Sequence, residues 1–333
     1  MNKNLILITA TLASSLCWVG CNKSGKLNQP SPGTTPTGPV ELKLKWSPGE
    51  RVLQSLGVKM NMEISGASLP QPIHQDMTIG EDYALNVLSA DASGGHEVEM
   101  EYLGIQMKME QGGKSMIDYD SRKKSSSDGK VPQLAAVEKM FQNVIGTKIQ
   151  FFLDASNHVE RVEGFDALMS KLAVGGQADA ASSLKSMFNE ETLKQMIGAQ
   201  HLPPKPVQPG DSWPAQTDLS MGGLGKVSMD VTTAFERWEM HGKRNCARLE
   251  FQGTMKGNPN PDSGTPGMTM SVQNGDVSGV AWFDPGLGMV IDTMMNQNMN
   301  LNMTMPMPGR KNATQSMTVA MKQDITLKVE SVK

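Results

Sequence analysis

Methionine sulfur is the most concentrated chemistry in this sequence. Met294, Met295, Met299, Met303, Met305 and Met307 fall within one short stretch. Met299, Leu301, Met303, Met305 and Met307 alternate there with Asn300, Asn302, Thr304 and Pro306. A strand with that order carries its thioethers on one face, because successive side chains point to opposite sides. Three uses fit such a face. Thioethers are soft ligands that select Cu(I). They also make adaptable walls for an acyl chain, since methionine rotamers adjust to the shape of a partner. The third use is the core-facing side of a sheet. No Cys or His accompanies the cluster, and Met is frequent throughout, at 27 residues, so copper ranks last and no metal is expected.

The remaining chemistry is scattered. His74, His96, His158, His201 and His241 share no metal-ligand spacing and read as loop or strand-end residues. Asp154 and Asp284 could form a carboxylate pair for acid–base work, but each opens a tight turn, where Asp accepts from its own backbone. Cys246 lies in an alternating strand pattern and reads as a core thiol, with no His base in the local pattern. Gly175-Gly176 and Gly222-Gly223-Leu224-Gly225 lack the strand–loop–helix order of a phosphate loop. Arg122-Lys123-Lys124 is a short basic run, read as a solvated loop before an anionic-lipid contact. No nucleophile or acid–base set emerges. The expectation is a protein that is not an enzyme and uses no cofactor.

Composition narrows the class further. The 333 residues carry a net charge of -3, which gives no basic field for nucleic acid. Charged residues make up 20%, an ordinary water-facing surface. After the N-terminal segment, no apolar run is long enough to span a bilayer.

The elements that must position these residues are mostly strands. Glu41 to Trp46 alternates and is expected to open the first one. Alternation returns over 57–64, 83–88 and 97–109, with a turn at 91–95 between the last two. Residues 111–131 are polar and read as a loop. A helical block is expected over 134–198. Val137, Met140, Phe141, Val144 and Ile145 share one helix face, and Phe165, Leu168, Met169 and Leu172 another. A hairpin at 148–162 interrupts the block. Strand patterns then cover 226–238, 245–254, 275–283, 288–307 and 316–332. The halves also echo each other in order. Pro48-Gly49-Glu50 matches Pro209-Gly210-Asp211, Glu101-Tyr102-Leu103-Gly104 matches Glu250-Phe251-Gln252-Gly253, and Phe152-Leu153-Asp154 matches Trp282-Phe283-Asp284. The expected fold is mainly β, a curved antiparallel sheet or half-barrel with a helical lid. It would be one domain over 41–333, built from a duplicated unit at 41–164 and 205–333, with two tandem β domains as the alternative.

The N-terminus has a signal-peptide layout. Lys3 precedes an apolar run from Leu5 to Leu16, and Trp18-Val19-Gly20-Cys21 follows. Residues 22–40 are rich in Pro, Gly, Ser and Thr and read as a disordered linker. Gly20-Cys21 resembles the bacterial lipoprotein lipobox, although Trp18 stands where that family usually has Leu. The resemblance implies removal of residues 1–20, diacylation of Cys21 (hence palmitate), and a bilayer anchor at the cell envelope facing the periplasm or the surface. Two acyl chains hold where one does not. Asn22 is not the Asp that retains some lipoproteins in the inner membrane, so the outer membrane is favoured. The PG(E/D) strand starts and the stretch Gly146 to Leu172 resemble an uncharacterised family of β-rich bacterial lipoproteins. Their layout is similar to periplasmic half-barrel lipoprotein or lipid carriers, which hold acyl chains between a curved sheet and a helical lid. Two functions follow as expectations. One is a structural or interaction lipoprotein that docks another envelope protein. The other is a carrier or sensor of an apolar ligand, lined by Met299, Met303, Met305, Met307, Met140, Phe141, Met169 and Leu172.

Overall fold

The computed structural model describes residues 36–67, 69–123, 138–139, 141–173, 202–220, 226–258, 269–306 and 314–333. Cys21, the signal segment, most of the linker, Met140, Met307 and most of the helical block lie outside them. Met305 and Leu172 are placed by backbone alone.

Alternation of apolar and polar side chains produces long strands. In the first half these are β1 (Arg51–Gly66), β2 (Ile73–Ala90), β3 (His96–Gln111), β4 (Lys114–Asp120), β5 (Lys148–Leu153) and β6 (Val159–Glu163). The second half contributes β7 (Ser212–Ser220), β8 (Lys226–His241), β9 (Arg244–Asn258), β10 (Thr269–Asp284), β11 (Met289–Pro306) and β12 (Thr314–Val332). All twelve join one antiparallel sheet, curved and unclosed, in the order β6-β5-β3-β2-β1-β12-β11-β10-β9-β8-β7. β4 and β5 share the outer edge of β3, at opposite ends of that strand. The longest strands run 16 to 19 residues, so the sheet stands about 50–60 Å tall.

One face of this sheet is buried and the other faces water. In β12 burial alternates without a break from Met317 to Leu327. The inward side chains of strands from both halves form one contiguous apolar core. Curvature brings the inward side chains of the strands over one another, and the alternation read from the sequence is the pattern of a sheet with one buried face. Among the described residues, helical turns accompany the sheet at 138–139 and 141–144, and a helix at Phe165–Ala173. The helix packs against β5, at the β6 margin.

Equivalent corners begin the two halves. Gly49 N–H donates to the Val87 carbonyl at 2.8 Å, and Val87 N–H returns a bond to Glu50 at 2.9 Å. Gly210 N–H donates to Phe235 at 2.7 Å, and Phe235 N–H returns one to Asp211 at 2.9 Å. Both glycines have positive φ, 84° and 95°, a conformation other residues adopt only with strain. A register shift follows each corner partner, between Val87 and Ser89 and between Phe235 and Arg237.

Three elements differ from the sequence reading. Residues 40–46 alternate as expected, with Leu42, Leu44 and Trp46 buried, but they form a strap and not a sheet strand. Val40 bridges to Val207, Lys45 N–H donates to Gly288, and the Trp46 indole donates to Asn157 at 2.7 Å. The strap therefore ties β-turns of both halves across one end of the sheet. The polar stretch 111–131 contains β4, because Gly112 and Gly113 both take positive φ and make a two-residue hairpin after β3. Ile117 and Tyr119 supply its buried side. β7 carries Pro214 and was hidden by it; the strand lies at the sheet edge, where a missing donor is tolerated.

Candidate functional site

The candidate site is the inner face of the sheet, and register alone assembles it. Met62 on β1 faces Met321 on β12, which faces Met299 on β11. Met299 faces Gly275 on β10, Gly275 faces Met255 on β9, and Met255 faces Met229 on β8. Residues this far apart in sequence share one row because the strands are long, antiparallel and in register. Gly275 is the gap in the row. A Cβ placed there would lie 3.1 Å from both Met255 Cε and Met299 Cγ. The flanking thioethers have moved into the space a side chain would occupy. A second group, Met60, Met77 and Met109, lies on β1 to β3.

The row is not uniformly closed. Met295, Leu301 and Met303 on β11 are buried, Met303 to 1% exposure, whereas Met299 between them keeps accessible surface. Amide groups accompany the thioethers. Gln75 Nε2–H donates to Met109 Sδ at 3.0 Å, Gln297 to Met295 Sδ at 3.6 Å and Gln323 to Met321 Sδ at 3.7 Å. Sulfur is a weak acceptor, so these amides hold little beyond their neighbours.

Toward the strapped end the inner face turns polar. Gln54 on β1 is 1% exposed, and neither its amide oxygen nor its nitrogen has a hydrogen-bond partner. Tyr83 faces it from β2, and Tyr102 faces Tyr83 from β3. Glu81, two residues along β2 on the same face, sits between Leu56 and Ile105. Burial without a counter-charge pushes its carboxyl up to about 7. It nonetheless keeps some accessible surface. Sequence reasoning missed both residues. The available signal is a polar residue at an inward position of an alternating strand, and the strand patterns at 57–64 and 83–88 stop short of both residues.

The predicted lining residues are only partly brought together. Met299 and Met303 share the inner face of β11 with Leu301, as the alternation implied. Phe141 stacks on Tyr119 of β4 with ring centroids 5.6 Å apart, and Met169 is buried on the helix that packs against β5. These two lie toward the β6 margin, several strands from β11. Phe141 packs against the same core as Met303.

Other candidate residues resolve into structural roles. Asp154 Oδ1 accepts from the backbone of Ser156 and His158, and Asp284 Oδ1 from Gly286 and Leu287. Asp284 also pairs with Arg244 at 2.6 Å. Cys246 is fully buried, and burial pushes its thiol up to about 12, which leaves no thiolate at neutral pH. Arg122 pairs with Asp82 and Asp120, and Lys123 with Asp120. His74 and His158 are exposed, whereas burial lowers the pKa of half-buried His96. His241 ends β8, as expected of a strand-end residue, but is partly buried. It stacks on Trp282 at 4.1 Å and lies 3.0 Å from Asp292 on the outer face. The Trp282 indole donates to Glu239, which with Arg237 beside it holds that carboxyl below its usual range. Among the described residues no group of three or more His, Cys, Asp or Glu could hold a metal ion, and no helix is long and apolar enough to cross a membrane.

Comparison with known proteins places the chain only broadly. Residues 93–290 match a family of unknown function, DUF6263. No curated protein matches the sequence. Among solved structures, one titled for lipid–protein interactions in lipovitellin aligns with 86% of this chain at 9% identity and a TM-score of 0.45. This chain spans 26% of that one. OccK7 (OpdD) of Pseudomonas aeruginosa aligns with 85% of the chain and 100% of its own length, at 8% identity and a TM-score of 0.21. A DUF1329 family protein from Desulfovibrio piger covers 83% of the chain and 85% of its own length, at 9% identity and a TM-score of 0.14. Likenesses this loose carry no functional argument, which rests on the geometry above.

Proposed function

Because the chain belongs to DUF6263, a family with no function in its description, we propose a function from its geometry: a lipid-anchored envelope protein whose inner sheet face binds an apolar, acyl-chain ligand. The anchor is the diacylated Cys21, the membrane is the outer one, and the linker spaces the body from the headgroups. The body acts by binding and performs no chemistry on its ligand.

One observation carries the binding reading. The methionine row is interrupted at Gly275, whose side-chain space Met255 and Met299 occupy, and Met299 stays partly accessible while Leu301 and Met303 on the same strand do not. A row that served packing alone would bury the thioether of Met299 as it buries its neighbours on the strand, because exposed apolar surface loses contacts. A partly accessible thioether in such a row suits a mobile hydrocarbon chain, since methionines repack without a fixed shape.

Diphenylhexatriene, which fluoresces in apolar surroundings, tests it. The full-length protein should bind the probe saturably. Met299→Trp should weaken binding at least tenfold with little change in melting temperature. No saturable binding by the wild type would contradict the proposal. For the anchor, labelled palmitate should enter the wild type and not Cys21→Ser, and label retained in that variant would contradict it.

A second reading has one observation in its favour. Among the described residues no strand pairs with the outer side of β7, on which a partner strand could pair. Pro214 within that short strand is a feature that blunts edges, so the binding reading stands first.

A further inference from the structure

We propose that Gln54 and Glu81 form the head-group end of the ligand site, and that the ligand is a single-chain amphiphile with an uncharged head bearing hydroxyl and carbonyl groups. This rests on the acyl-chain reading above and names the class of ligand it admits.

The geometry begins with an unmet need. The Gln54 amide has a donor and an acceptor, is almost wholly buried, and has a partner for neither. An amide left so is unfavourable compared with an apolar side chain of the same shape. Glu81 lies diagonally across the β1–β2 pair, on the same face and about 7–8 Å away between backbones. The two can hold one small head between them.

Charge selects the head. The inward residues of β1, β2 and β3 around Glu81 are Leu56, Tyr83, Tyr102, Ile105, Val58 and Ile79, none of them cationic. The cations of this region point outward, where Arg51 pairs with Glu101, Arg122 with Asp82 and Lys148 with Glu99. Among the described residues around Glu81 an anionic head would meet no cation, only the carboxyl of Glu81 itself. Burial also keeps the Glu81 carboxyl protonated to about neutral pH, so it donates to a carbonyl or hydroxyl and offers weak pairing to an ammonium. Met60 and Met62 lie six and eight residues along β1 from Gln54, about 20–26 Å away. A long acyl chain reaches from the polar end to the methionine rows over that distance.

The test uses the full-length protein and displacement of bound diphenylhexatriene by 1-monooleoylglycerol, oleate and oleylamine. The wild type should bind monooleoylglycerol at least tenfold more tightly than the other two. Gln54→Leu should weaken monooleoylglycerol about tenfold, leave diphenylhexatriene unchanged, and keep or raise the melting temperature. Glu81→Leu should behave likewise, and Glu81→Gln, which retains a neutral donor, should restore most of the affinity. A protein that binds diphenylhexatriene yet takes all three heads equally, or prefers oleate or oleylamine, overturns the head-group site alone. Unchanged monooleoylglycerol affinity in Gln54→Leu does the same. A protein that binds none of the four overturns the acyl-chain reading itself.

Discussion

Six residues before the corner partner Val87 the inner face of β2 carries Glu81; six residues before the equivalent partner Phe235 the inner face of β8 carries Met229. Five residues after Gly49 stands Gln54, and five after Gly210 stands Ala215. Tyr83 in the first half corresponds in the same way to Val231 in the second. The corners, the following register shifts and the Asp154 and Asp284 turns agree between halves, and the strand order β6-β5-β3-β2-β1 repeats as β11-β10-β9-β8-β7. These matches support reading the halves as copies of one unit. The two halves agree where backbone geometry leaves few options. At these three positions the lining is polar in the first half and apolar in the second, although Thr233, Thr293, Gln297 and Gln323 are also buried polar residues of the second half.

The largest expected effect separates core from wall on a single strand. Met303→Asp buries an unpaired carboxylate and should destabilise the protein by about 4 kcal/mol in urea unfolding. Met299→Asp, at the partly accessible position, should lose about 1 kcal/mol and most of the probe binding. Equal losses would erase the distinction between the two positions.

Next comes the polar half. Glu81 has a folded pKa of about 7, above the ordinary carboxyl value of 4.5. Its folded form holds the proton more tightly, so its contribution to stability is fully present below about 4.5 and is lost as pH rises through about 7. The loss is about 3 kcal/mol, from 1.36 kcal/mol per pKa unit. Glu81→Gln should flatten the stability–pH profile across that window. An unchanged profile would remove Glu81 from the interior of the account.

Smaller effects test the likeness of the halves. Gly49→Ala and Gly210→Ala should each cost about 1–2 kcal/mol, and by similar amounts, since each forces a Cβ into positive φ. A marked inequality would weaken the case for equivalent corners. Trp46→Phe removes the indole bond to Asn157 and should cost about 1 kcal/mol, read as a lower melting temperature. No loss would mean that the strap does not tie the end of the sheet.

Much of the frame was legible in the sequence because alternation is a direct image of a sheet with one buried face. The 316–332 pattern gave β12, and the Asp turns gave two hairpins, since the backbone chemistry that fixes them is local. β4 and β7 were obscured by local signals, a polar loop composition and Pro214, that the sheet overrides through pairing and edge position. Residues 40–46 had the right periodicity in the wrong role, because burial against turns of both halves imitates burial in a ladder. The Met299–Met303 face was readable from one strand. The row from Met62 to Met229 was not, because it depends on register among five other strands. Gln54 and Glu81 carry no local motif, and they become a site only when inward direction and lack of partners are known together.

Native mass spectrometry of the full-length protein taken from its own cells tests the central claim most directly. The account predicts a non-covalent adduct, beyond any acylation of Cys21, with the mass of one neutral single-chain lipid, lost from Gln54→Leu and from Met299→Trp. A protein that carries no adduct under conditions that preserve its fold, and binds no apolar probe afterwards, would contradict it.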